Sequence, residues 1–322
     1  MKARTPPGFR GFMMQAGLKA LGVAALLAGA TPAGARDRPQ TAPDAAFDLA
    51  FGAYQRGYYG TALAEAMKRI EAKDRDAAAM TLLGELYAQG LAVRRDPTEA
   101  ARWYRLASER GDRQATFRLA VATLNGEGVD KSREAARRLF EKAAAQDHAG
   151  ALYNLGVMTL EDDVPARDFT KAAGYFARAA ALGDGDAAYA LGVLYRNGSG
   201  VEKDDVKAAR LMRQSAETDT LSGQVEYAIM LFNGVGVPKD EAAAARLFLK
   251  AAERDNPVAQ NRAARILAAG RGAPRNVVEA MKWHILASAA GIKDPWLDGE
   301  LAKLTPAERA EVEAAVRRHV GH

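Results

Sequence analysis

Small and hydrophobic residues recur along this chain with a step of 36 positions. The tracts Leu83-Gly84, Leu119-Ala120, Leu155-Gly156, Leu191-Gly192, Tyr227-Ala228 and Ala263-Ala264 mark the step, and the second member is small every time. A second small position keeps the same spacing at Ala100, Ala136, Ala172, Ala208, Ala244 and Ala280. Large pairs follow at Trp103-Tyr104, Leu139-Phe140, Tyr175-Phe176, Leu211-Met212, Leu247-Phe248 and Trp283-His284. The units tile residues 76–291 without insertion. Within each half-unit the apolar spacing is helical, as in Leu191, Val193, Leu194 and Tyr195, then Ala208, Leu211, Met212 and Ser215. The pattern therefore predicts two helices per unit and an all-α chain.

Polar residues punctuate the same pattern. First helices are expected to open at Asp76, Asp112, His148, Asp184, Thr220 and Asn256. Second helices are expected to open at Asp96, Ser132, Asp168, Asp204, Asp240 and Asn276. All but His148 are good N-caps, because a short side-chain oxygen accepts from an orphan amide. Asp96 with Glu99 and Asn276 with Glu279 read as capping boxes, and Pro97 and Pro257 fall at the first helical position. Units end at Gly111, Asp147, Gly183, Asp219, Asp255 and Gly291, where glycine favours a left-handed cap. Small residues let the paired helices approach, and the large pairs fill the grooves. One hairpin cannot bury both of its faces, so the units must stack into an α-solenoid.

These residues resemble the Sel1-like repeat family, a relative of the tetratricopeptide repeat. The best match is Ala187, Leu191-Gly192, Tyr195, Gly198-Ser199-Gly200-Val201, Asp204, Lys207-Ala208 and Ala216. The third unit departs from the pattern, with Asp162-Asp163-Val164-Pro165 in place of the glycine loop. The resemblance implies an adaptor or regulatory protein. Periplasmic members include inhibitors of sensor kinases in envelope and exopolysaccharide signalling.

The flanks differ from the repeats. Residues 44–75 read as a tetratricopeptide-like N-terminal capping unit, from Ala53-Tyr54, Gly57, Tyr59, Ala62, Met67 and Ile70. Residues 292–322 read as C-terminal capping helices, the last opening at the capping box Thr305…Glu308. Residues 36–43 are expected to form a mobile leader. Residues 1–35 read as a cleaved secretory signal: Lys2, Arg4, Arg10 and Lys19, then the apolar run Leu21–Ala30, then Ala33-Gly34-Ala35 before Arg36. The run is too short to span a bilayer, which takes about 20 residues. The expectation is export to the periplasm with no transmembrane anchor after cleavage.

Charge changes accordingly. Removing four basic residues and no acidic one takes the net charge from +5 to +1, so the sequence pI of 9.3 belongs largely to the signal. A nucleic-acid partner is not expected. The chain has no cysteine, which excludes disulfides, zinc–thiolate sites, iron–sulfur clusters and thiol nucleophiles. Loop pairs such as Gly126…Gly128, Gly198…Gly200, Gly234…Gly236 and Gly270…Gly272 lack the strand and third glycine of a dinucleotide site. They read as interhelical turns. His284 reads as packed, and His319 and His322 as solvated. No serine begins an S-x-x-K motif and no G-x-S-x-G elbow occurs. No enzyme, cofactor or metal site is expected.

One feature points to binding. On a tetratricopeptide-like frame, the first helix of each unit turns Phe117, Tyr153, Tyr189 and Val225 to the concave side, with Val121, Val157, Val193 and Ile229 one face-step on. One turn further come Leu124, Leu160, Arg196 and Phe232, and Arg265 shares the face. This ladder reads either as a groove for an extended peptide or partner helix, or as core closed between units. Arg196 and Arg265 suit an acidic partner. The expected function is a non-enzymatic exported adaptor binding another protein, such as an envelope sensor or assembly component. The alternatives are an envelope enzyme or binder of cell-wall or β-lactam-like ligands, and a structural factor using other faces.

Overall fold

The computed structural model describes residues 49–72, 76–162 and 168–321. Among them lie sixteen α-helices and no strand. A short hairpin, α1 (Leu49–Gln55) and α2 (Tyr59–Ala72), precedes six helix pairs. The pairs are α3 (Ala77–Gln89) with α4 (Pro97–Glu109), α5 (Arg113–Asn125) with α6 (Arg133–Ala144), and α7 (Ala149–Glu161) with α8 (Phe169–Ala181). They continue as α9 (Gly185–Asn197) with α10 (Asp205–Glu217), α11 (Leu221–Asn233) with α12 (Glu241–Ala252), and α13 (Pro257–Ala269) with α14 (Val277–Ala289). A closing pair follows, α15 (Pro295–Ala302) and α16 (Pro306–Val320). From α1 to α15 each helix packs on its sequence neighbours, as a solenoid requires, and α16 folds back onto α14 rather than onto α15. The expected signal, the leader and the third-unit loop from Asp163 lie outside the described residues, as does His322.

The core is the 36-residue pattern made solid. Tyr104, Phe140, Phe176, Met212, Phe248 and His284 form a buried column, none more than 4% exposed. Each follows the small helix-A position of its own unit. A Cβ on Gly84 would lie 2.4 Å from the Tyr104 ring, and one on Gly156 would lie 2.5 Å from the Phe176 ring. Burying each large side chain contributes about 1.5–3 kcal/mol. His284 takes the column's aromatic place and remains hydrogen-bonded to Asp298 through Nε2 at 2.8 Å.

Eleven of the twelve repeat N-caps accept a backbone amide through their side chain. His148, the weak candidate, does so with Nδ1 accepting from the Ala151 amide at 3.2 Å. The exception is Thr220, which makes no side-chain cap bond; its hydroxyl lies 3.4 Å from that of Thr218. The expected boxes at Asp96 and Asn276 are one-sided, with Glu99 and Glu279 paired to Arg102 and Lys282 at 3.5 and 2.6 Å. The reciprocal box is complete at Thr305 and Glu308.

All six unit ends are left-handed, including Asp147, Asp219 and Asp255 at φ of 54°, 61° and 55°. Aspartate tolerates that region better than most side chains. Here Asp147 bonds Arg178 at 3.1 Å and Asp219 bonds Lys250 at 2.7 Å. The second glycine of each loop locks one unit to the unit before it. A Cβ on Gly128 would stand 2.0 Å from the Pro97 carbonyl oxygen, and one on Gly236 would stand 1.9 Å from that of Asp205. These loops are therefore seams between units.

A further periodic device ties a unit to the one before it. Lys142 donates to the Ser108 carbonyl (2.8 Å), Arg178 to that of Ala144 (3.1 Å) and Gln214 to that of Ala180 (2.6 Å). Each adds a second hydrogen bond to a carbonyl at the C-terminal end of the previous unit's second helix, which already accepts a turn amide. The donors keep the 36-residue step. His319 also departs from the solvated reading: its ring meets Trp283 edge-on at 5.1 Å, and Nε2 lies 3.1 Å from Asp255. It docks α16 over the end of the last repeat.

Candidate concave interaction face

Helices α3, α5, α7, α9, α11 and α13 form one face of the stack. A single cavity of about 590 Å³ is lined by Phe51 of α1, Leu82 of α3, Phe117 of α5 and Leu182 beyond α8. Elements so far apart in sequence share it because the stack curls toward this face. A second cavity of about 430 Å³ opens between α11 and α13 and includes Ile229, Phe232 and Arg265.

The predicted ladder lies on this face and divides by depth. Val193 and Val225 are core, at 5% and 7% exposed. Leu160 is also buried. Phe117, Val121, Tyr153, Val157, Tyr189, Arg196, Ile229 and Phe232 are half-buried. Two of the rings rest on the aromatic column: Phe117 tilts against Phe140 with centroids 5.9 Å apart, and Tyr153 against Phe176 at 5.8 Å. Phe117 also stacks on the His148 ring at 4.4 Å. Burial pushes the Tyr153 hydroxyl well above its ordinary range. It raises Tyr189 to about 12, with nearby Glu226 adding to the effect. Both phenols stay neutral and can donate a hydrogen bond. The two sequence readings, groove and core, are thus divided by depth.

The arginines are already engaged. Arg196 pairs with Glu226 of the next unit. Arg265 grips Asp294 through Nε at 2.6 Å and Nη2 at 2.8 Å. Arg118 pairs with Glu85 at 2.5 Å toward the other end. These bonds brace neighbouring elements across the face, a role the sequence reading missed. The signal was present as opposite charges about 30 residues apart. Arg265 keeps an exposed flank, with its guanidinium 5.6 Å from the Trp296 ring centroid.

Two titratable groups on the larger cavity are displaced. Burial, with Arg113 and Arg118 nearby, lowers His148 to about 4. Burial raises Asp184 to about 6, opposed by its bond from the Ala187 amide. Both cap helices, which accounts for their placement without catalysis. Among the described residues no group of three His, Cys, Asp or Glu side chains is placed to hold a metal ion. No described helix is long and apolar enough to cross a membrane.

An all-helical stack of paired helices with a continuous half-buried inner face defines a tetratricopeptide-like repeat scaffold. Sel1 repeat models match residues 77–112, 113–148, 149–184, 185–217, 221–256 and 257–292, so the chain belongs to the Sel1 repeat family. Among solved structures it is similar to a Sel1 repeat protein from Oxalobacter formigenes, at 29% identity and TM-score 0.67. The match covers 75% of this chain and 98% of that one. It is also similar to c5321, a protective antigen of uropathogenic Escherichia coli with the SLR fold, at 25% identity and TM-score 0.54. There the match covers 82% of this chain and 64% of the antigen. No curated relative matches the chain. Sel1 and tetratricopeptide-like repeat proteins are generally non-enzymatic protein-interaction scaffolds.

Proposed function

We propose that this chain is an exported, periplasmic adaptor that holds an extended segment of a partner protein along its concave face. The observation that carries the reading is the run Phe117, Tyr153 and Tyr189 on the first helices of successive units, each half-buried. For Phe117 and Tyr153 the inner edge is fixed against the column. Such rings are already ordered, so a partner meets apolar surface and phenol donors at small entropic cost. Export is supported by the basic, apolar and small-residue succession of residues 1–35. The partner class is an envelope sensor or assembly component, in keeping with the family resemblance.

The test is affinity capture from envelope extracts with the chain beginning at Arg36. The control is the Tyr153→Ala/Tyr189→Ala variant, shown to be folded by circular dichroism. A partner held by the parent and lost by the folded variant supports the adaptor. Retention by that variant refutes concave binding and moves the interface elsewhere. Cell fractionation with N-terminal sequencing tests export; a cytoplasmic protein with residues 1–35 intact would refute it.

A further inference from the structure

The concave face has a distinct C-terminal end. The cavity between α11 and α13 is lined by Ile229, Phe232, Arg262, Arg265, Arg271 and Trp296, with no carboxylate in its wall. Two of the three guanidiniums lie against aromatic rings. Arg271 lies over Phe232 at 4.6 Å and Arg265 beside Trp296 at 5.6 Å, both to the ring centroid. Those two arginines spend Nε and Nη2 on Glu241 and Asp294 respectively. A guanidinium has five N–H donors, so each keeps donors in reserve. Arg262 is exposed and forms no ion pair among the described residues. Trp296 is 43% exposed, an unusual setting for so large a ring.

The wall thus carries one guanidinium without a counter-charge, Arg262, beside apolar surface. A bare anion would use the arginines and leave Trp296, Phe232 and Ile229 wet. An apolar segment would use the rings and leave Arg262 without a counter-charge. Both are satisfied by a carboxylate side chain flanked by a bulky apolar one. Guanidinium favours carboxylates through paired donors, and the pairing is strongest beside low-dielectric walls.

We propose that this cavity binds an acidic–apolar segment of the partner polypeptide, with the carboxylate on Arg262 and the flanking side chain against Trp296. This rests on the adaptor reading and specifies the chemistry that the C-terminal end of the face selects. It also fixes direction: the acidic part of a bound segment lies at α13, while its remainder runs toward Tyr189 and Tyr153.

The experiment titrates the mature chain with a short capped peptide alternating aspartate or glutamate with phenylalanine or leucine. Its counterpart carries asparagine and glutamine instead. The readout is tryptophan fluorescence: of the three tryptophans Trp296 is the exposed reporter, Trp283 is fully buried, and Trp103 is half-buried in α4, outside this cavity. The acidic peptide is expected to bind about tenfold tighter than the amide peptide, with the difference shrinking as salt rises. Arg262→Gln should weaken the acidic peptide about fivefold and flatten its salt dependence. This variant removes no ion pair, so its fold is secure. Trp296→Phe should abolish the fluorescence change. Equal binding of the two peptides overturns the proposal, as does unchanged binding by Arg262→Gln. Polyphosphate competing as strongly as the acidic peptide also overturns it and leaves a general polyanion site. A failure here, with tyrosine-dependent capture intact, sinks this inference alone; loss of that capture sinks the adaptor reading itself.

Discussion

Gly156 lies directly beneath the ring of Phe176: a Cβ at that position would stand 2.5 Å from Cε1. The counterparts of this pair elsewhere are Ala120 with Phe140 and Ala228 with Phe248. The stack can therefore hold an alanine there, but only with helices already spaced for it. Gly156→Ala should destabilise by about 1–2 kcal/mol as α7 and α8 are pushed apart. Gly192→Ala meets the flexible end of Met212 at 2.9 Å and should cost less. Gly174→Ala meets nothing within 4 Å in exposed helix and should stabilise by about 0.5–1 kcal/mol. Urea unfolding followed by circular dichroism checks the order; a destabilised Gly174→Ala with an unaffected Gly156→Ala would refute the packing account.

His148 caps α7 with a bare Nδ1 and directs Nε2 to the side-chain oxygen Oε1 of Gln114 at 2.9 Å. That arrangement needs the neutral ring with its proton on Nε2. The folded pKa of about 4 lies below the ordinary 6.5. Between those values the unfolded chain binds the proton first, so His148 withdraws stability as pH falls from about 6.5 to 4. With part of the ring open to solvent, the loss is on the order of 1 kcal/mol. His148→Asn keeps a cap acceptor and removes the titration. The difference between parent and variant should therefore grow as pH falls through this window. A constant difference from pH 7 to 4 would show that folding leaves the His148 pKa where it is in the unfolded chain, and would refute the buried neutral cap.

Asp184 works in the opposite sense over nearly the same window. Burial raises its folded pKa to about 6 from the ordinary 3.8. The fold then binds the proton more readily than the unfolded chain, and stability from this group falls as pH rises from about 4 to 6. Above that window the buried carboxylate costs the fold its desolvation. Asp184→Asn retains an oxygen for the Ala187 amide, which Asp184 caps at 2.7 Å. It should raise stability at pH 7 by about 1 kcal/mol and lose that advantage near pH 4. In the parent protein the two slopes offset one another. The single variants should therefore show steeper pH profiles than the parent, with opposite signs, in parallel urea titrations.

Much of this architecture is written in the chain because a solenoid is built from local contacts. Helix boundaries followed from Asp112, Asp204 and Asn256, since a cap acts within three residues of itself. The column from Tyr104 to His284 followed from spacing alone. What spacing does not carry is depth. Tyr189 and Val225 hold equivalent positions in successive units, yet one is half-buried and the other is core. Their exposure depends on the curl of the stack and the size of neighbouring side chains. Arg196 and Arg265 were read as open to a partner because their carboxylates lie one unit away, at Glu226 and Asp294. Trp296 was not read as part of the face. It follows the repeat pattern's end, and only the docking of α15 brings it beside Phe232. In the sequence Thr220 is an ordinary cap; its hydroxyl comes to lie 3.4 Å from that of Thr218 only once the turn is formed.

The last repeat is joined to the closing helices by a buried carboxylate, and this joint should behave unlike the surface ion pairs. Asp294 is 3% exposed, caps α15 by accepting from the Leu297 amide at 3.3 Å, and takes hydrogen bonds from Asn261 and Arg265. Although burial opposes it, these donors and the guanidinium charge hold its pKa down to about 2. A depressed folded pKa means that the stabilisation is present above the ordinary carboxylate range and is lost as pH falls toward 2. Arg265→Met keeps the stem but leaves the carboxylate buried without its counter-charge. It should cost about 3 kcal/mol, more than Asp294→Asn at about 1–2 kcal/mol, because the asparagine still caps α15 and buries no charge. In Arg265→Met the carboxylate regains a raised pKa, so that variant should recover part of its loss on acidification from pH 7 to 5, whereas Asp294→Asn should not. Contacts in the stack run within and between adjoining units, so the damage should appear first as rapid amide exchange in α15 and α16, while α5 to α8 keep parent protection. Hydrogen exchange read by mass spectrometry at the two pH values decides it. Equal losses for the two variants at both pH values would show that Asp294 is a solvated cap and that the closing helices are held by apolar contacts such as Leu297 and Val312 alone.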